Sequence, residues 1–132
     1  MTHWATKYIG IPWEQAAQGP YAYDCWGFFR MVQREHFNIV VPLVLAPDYN
    51  DSTALVNLFS RHEENHHWSA IAVPQDGDAV IIHRPFHIGV WLDIDGGGVL
   101  HCIKGIGVIY TRNASWLLSG FGRREYKRYI GT

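Results

Sequence analysis

The feature that most restricts the fold is a change of period along the chain. Up to about Phe37 the apolar residues recur with helical spacing, whereas from Asp76 onward they recur every second residue or form short continuous runs. Asp24 is a good N-cap, and Cys25, Phe28, Phe29 and Val32 follow it at helical spacing, which predicts a helix from Cys25 to about His36 or Phe37. Gly77-Asp78 turns into a buried strand over Ala79–Ile82, and His83–Phe86 connects it to a strand over His87–Leu92. The Asp/Gly stretch 93–98 leads to Val99–Ile103, a Lys104-Gly105 turn to Gly107–Thr111, and a last strand runs from Arg124 to Ile130. Helices first and strands after them predict an α+β domain, with N-terminal helices packed on an antiparallel sheet of five to six strands in a meander.

The remaining segments are less sharply marked. Thr2–Ile9 reads as a short amphipathic helix stopped by Gly10 and Pro12, and Asn38–Pro42 as extended chain. Between Pro42 and Pro74, Asp51 or Ser52 is placed to cap a helix containing Leu55, Val56, Leu58 and Phe59. His62 and His66 in its tail are spaced i, i+4, but no third ligand of defined spacing accompanies them, so a solvated helix end is expected and no metal site.

Composition narrows the classes of function. The chain has 132 residues, 48% hydrophobic and 17% charged, which describes one globular domain over 1–132. A formal net charge of -1 argues against a nucleic-acid partner, and the basic run Arg123-Arg124 with Lys127-Arg128 reads as the solvated face of a strand. Aromatic residues at 14% suit either a ring-rich core or a groove walled by rings. No stretch approaches the roughly 18 apolar residues of a membrane span, and the start of the chain has no secretory pattern. The expectation is a soluble chain without a signal peptide and without membrane insertion. Cys25 and Cys102 are too few for a disulfide framework.

The chemistry is concentrated around Cys25. At a helix N-terminus, unpaired N–H groups and the helix dipole favour a thiolate, lowering the pKa from about 8.5 into roughly the 3.5–7.5 range, and the same N–H groups suit an oxyanion. A small buried apolar cysteine is the alternative. On the strand 87–92, alternation places His87, Gly89 and Trp91 on one face and Ile88, Val90 and Leu92 on the other. If the next hairpin is centred on Ile94 or Asp95, His101 falls opposite or diagonal to His87 on the same face; a two-residue Asp95-Gly96 turn would send the two to opposite faces. Meeting near Cys25, His87 would act as base and His101 as its orienting group. His83 is a further candidate for the base or the rim of the site, and Cys102, pointing away from His101's face, is expected to pack.

Asp24-Cys25-Trp-Gly-Phe-Phe, Gly77-Asp78-Ala-Val-Ile-Ile, His87-Ile-Gly-Val-Trp-Leu and a later strand with His101 resemble, in order and over nearly the whole chain, the NlpC-type cysteine peptidases, a compact papain-like family. The resemblance implies a papain-like α+β fold with Cys25 as nucleophile, His87 as base and His101 as third residue, hydrolysing amide bonds in peptidoglycan stem peptides without a cofactor. It also implies that Tyr23 and Asp24 line the site or help the oxyanion. Two departures stand out: Trp26 follows the cysteine where many members have Ser, which would narrow the groove, and the preceding loop reads Gln18-Gly19-Pro20-Tyr21 where many have Trp-Gly-Gly. Small members without a signal peptide or wall-binding domain resemble those of bacteriophage tails and prophage clusters. That implies a protein made in the bacterial cytoplasm, carried in a virion tail with tail-tip partners, and acting in the periplasm or cell wall. A structural tail-tip or plug protein without catalysis and a thiol acyltransferase of the same fold are the alternatives.

Overall fold

A computed structural model describes residues 3–41, 68–83 and 86–131. The helix expected within 51–64 and the His62/His66 pair lie outside the described residues. The short helix expected over Thr2–Ile9 is present as a 3₁₀ helix at Trp4–Tyr8. Its side chains dock on the end of the main helix, where Trp4 stacks on His36 (centroids 3.6 Å apart) and the Tyr8 hydroxyl lies 2.8 Å from His36 Nε2.

Helix α1 spans Cys25–Phe37. Asp24 caps it by accepting the Gly27 N–H at 2.5 Å, and Asn38 ends it in the left-handed conformation. The strands are β1 (Trp68–Ile71), β2 (Ala79–His83), β3 (Phe86–Leu92), β4 (Gly98–Ile103), β5 (Gly107–Arg112) and β6 (Arg124–Tyr129). They form one six-stranded sheet in the order β1-β6-β2-β3-β4-β5, antiparallel at every pairing. Strands β2 to β5 are the expected meander, but β6 returns to pair with β2 and carries β1 outside it, so the last strand lies inside the sheet.

Both faces of the sheet are covered, which explains why β2 reads as a continuous apolar run. One face, with Ile81, Ile88, Val90, Leu92, Leu100 and Cys102, packs under α1 against Phe28, Phe29 and Val32. On the other face Val80, Ile82, Trp91 and Val99 are covered by Trp116 and Phe121 from the 3₁₀ turns and loop between β5 and β6. Arg128 of the basic run pairs with buried Asp78, its Nη2 2.8 Å from Oδ2, and anchors β6 to the turn before β2. Arg124 lies over the Trp116 ring at 4.5 Å. The run is therefore only partly a solvated face.

Candidate active site

The β3–β4 register decides whether the histidines meet. Leu92 pairs with Gly98 and Gly89 with His101, so the hairpin is centred on Asp95. Asp95, Gly96 and Gly97 all take positive φ, which lets a five-residue loop close it in place of a two-residue turn. His101 falls diagonally beside His87 on the face away from α1, and His87 Nε2 lies 2.8 Å from His101 Nδ1. The rings are nearly coplanar, with an interplanar angle of 9°. Gly89 stands directly across from His101, and a Cβ there would lie 2.6 Å from Val99 Cγ1 and 3.0 Å from His101 Cβ. A side chain at 89 would thus force apart the strands that hold the rings together.

Cys25, at the start of α1, meets the sheet beside β3 and β4. The β3–β4 ladder stops at Gly89–His101, while β4 continues to pair with β5 as far as Ile103. The Cys102 thiol donates to the Tyr23 carbonyl at 3.3 Å, and the Ile88 N–H faces the Cys25 sulfur. The sulfur therefore lies against the peptide that joins His87 to Ile88, at the start of α1.

Its protonation departs from the expectation. The N–H groups of Ile88, Trp26 and Cys25 itself favour the thiolate, but burial opposes it, and so does the Asp24 carboxylate next in the chain. The opposing effects win and push the thiol up to about 12, so at neutral pH Cys25 is a protonated thiol and not the expected thiolate. His101 is fully buried; burial first, and His87 second, hold it well below the usual histidine range, so it is neutral. Neutral His101 can orient His87 but adds no countercharge.

The other expected residues divide. Asp24 is fully buried and caps α1. Tyr23 is a core residue, its ring edge-on to Phe28 at 5.5 Å and its pKa raised by burial, and its carbonyl accepts from the Cys102 thiol. Trp26 does not narrow a groove: its ring is 2% exposed, packed in the core against Phe29. His83 is the last residue of β2, not a loop residue, and it turns to Glu125 on β6, Nε2 to Oε2 2.5 Å. It lies on the opposite face of the sheet from His87, because Ile82 is the β2 residue that pairs with His87. Cys102 is fully buried, and neither cysteine forms a disulfide.

Three residues escape the sequence reading. Thr111 on β5 places its Oγ1 2.9 Å from His101 Nε2. Phe121 meets both imidazoles edge-on, at 5.8 Å from His87 and 5.2 Å from His101, and Trp116 stacks on His101 at 6.0 Å. Parity along a β4–β5 hairpin centred on Gly105 is the signal that would have found Thr111, since it puts 111 diagonal to 101 on one face. Among the described residues no group of three or more His, Cys, Asp or Glu side chains is placed to hold a metal ion. No protein-family model matches the chain, and no curated protein matches it.

Proposed function

We propose that the protein is a papain-like, NlpC-type cysteine endopeptidase that hydrolyses amide bonds in peptidoglycan stem peptides. The observation that carries this reading is the seating of the Cys25 sulfur against the His87–Ile88 peptide, with His87 hydrogen-bonded through Nε2 to His101. With Nε2 turned to His101, His87 Nδ1 is the proposed acceptor of the sulfur's proton.

Because the resting thiol is neutral, proton transfer and attack proceed together. Sγ bonds to the amide carbon as its proton passes to His87 Nδ1, and the carbonyl oxygen becomes an oxyanion facing the first N–H groups of α1. The C–N bond then breaks, and the departing amine takes the proton from His87. Water next attacks the thioester, His87 accepts a proton from it, and the acid leaves as that proton returns to sulfur. His101 holds the His87 ring in plane throughout. A bacteriophage tail as the setting, with tail-tip proteins as partners and the cell wall as the place of action, belongs to the same proposal and rests on the sequence resemblance.

A second reading, a scaffold that keeps the fold without chemistry, is favoured by one observation: Cys25 is 4% exposed and His87 5%. Incubating purified sacculi with wild type and with Cys25→Ala separates the readings. Muropeptide cleavage lost in the variant supports the peptidase, no cleavage by either supports the scaffold, and acyl transfer without wall fragments supports an acyltransferase.

A further inference from the structure

The imidazole pair continues into a third polar group. His101 is held on both sides, by His87 at Nδ1 (2.8 Å) and by the Thr111 hydroxyl at Nε2 (2.9 Å), and both His101 and Thr111 are buried. A neutral imidazole carries one N–H, whereas a hydroxyl can donate or accept. When His87 is neutral as well, the three groups can be wired in only two directions. If Thr111 donates to His101 Nε2, His101 must carry its proton on Nδ1 and donate to His87 Nε2, and neutral His87 then holds its proton on Nδ1. If Thr111 accepts, His101 carries Nε2–H, its bare Nδ1 accepts from His87 Nε2–H, and His87 Nδ1 is left as a lone pair. Only the second wiring provides a nitrogen for the proton of a neutral thiol.

We propose that Thr111 is a positioning residue: its hydroxyl accepts from His101 Nε2–H and so fixes His87 in the tautomer with a bare Nδ1. The catalytic meaning of this wiring rests on the peptidase reading above, but the wiring itself is a property of the free protein. Two features of the fold suit the role. Thr111 sits on β5, which is paired with β4 along its whole length, so the hydroxyl is as firmly placed as the ring it touches. Trp116 and Phe121 close over the same rings, which leaves the threonine as the polar group described at Nε2. Removing the hydroxyl strands a buried N–H, which is costlier than stranding a lone pair, so His101 should move its proton to Nδ1 and His87 should follow.

The test is long-range ¹H–¹⁵N spectroscopy of the imidazole nitrogens in the full chain at neutral pH, for wild type, Thr111→Val and Thr111→Ser, with His87→Gln and His101→Gln to assign the signals. The expected result is His101 as the Nε2–H tautomer in wild type and in Thr111→Ser, and as the Nδ1–H tautomer in Thr111→Val. Wild-type His101 protonated on Nδ1 overturns the proposal even if the valine variant does not fold. An unchanged tautomer in a folded Thr111→Val overturns it as well. Neither result depends on turnover: a protein that cleaves sacculi through Cys25 with His101 in the Nδ1–H form refutes the role of Thr111 and leaves the peptidase reading standing.

Discussion

Replacing Gly89 by alanine tests the packing on which the imidazole pair depends. The added Cβ would lie 2.6 Å from Val99 Cγ1, 3.0 Å from His101 Cβ and 3.0 Å from the Leu100 carbonyl oxygen. Relaxed carbon contacts are about 3.5–4.0 Å, so Val99 or the β3–β4 spacing must give by close to an ångström. Val99 is fully buried and β-branched, with little freedom to rotate away. Overpacking of this kind costs about 1–3 kcal/mol, and removing a strand glycine returns about 0.5–1 kcal/mol, leaving a net loss of up to about 2.5 kcal/mol. For a domain of this size that lowers Tm by up to about 10 °C in calorimetry. The same variant should alter the imidazole ¹⁵N signals, because the clash falls on His101 itself. A Gly89→Ala protein with wild-type Tm and unchanged imidazole signals would refute the claim that a bare backbone at 89 brings the rings together.

The raised Cys25 pKa predicts slow iodoacetamide alkylation at pH 7, climbing about tenfold per pH unit through pH 9 and beyond; a plateau below pH 8 would contradict it. Asp24→Asn keeps a cap acceptor but removes the charge that opposes the thiolate, so alkylation at pH 8 should quicken, and an unchanged or slower rate in the folded variant would rule out that charge. For His101 the folded pKa lies below the unfolded value of about 6.5. The neutral ring thus contributes stability that is present above pH 6.5 and lost as pH falls toward the folded pKa. Urea unfolding should show a steeper loss below pH 6.5 in wild type than in His101→Gln, with a residual slope from His36, whose pKa is also lowered by burial; parallel curves would mean His101 is not held neutral.

Local signals made α1 and most of the sheet legible in the sequence. Asp24 before the apolar spacing of Cys25, Phe28, Phe29 and Val32 marked the helix start to the residue, and five of the six described strands fell within a residue of their expected ends. The meeting of His87 and His101 was legible only as one of two registers, because the Asp/Gly loop permits either parity; a five-residue turn decided it. Strand β1 and the insertion of β6 beside β2 were not legible, since they rest on pairing between segments more than 40 residues apart. The thiol's state was misjudged for a related reason. The helix terminus is a local feature, whereas burial arises only when the start of α1 packs on the sheet. Trp26 followed the same course, for a ring beside a nucleophile can line a groove or fill a core, and only packing under α1 settles which.

The central claim is that Cys25 is the attacking atom, and intact-protein mass spectrometry after rapid acid quench tests it most directly. Mixed with soluble muropeptides, wild type should carry a transient acyl adduct that maps to the Cys25 peptide, with one new amine released per amide cleaved, and Cys25→Ala should show neither. Cleavage without an adduct on Cys25, or cleavage that persists in Cys25→Ala, would contradict the account.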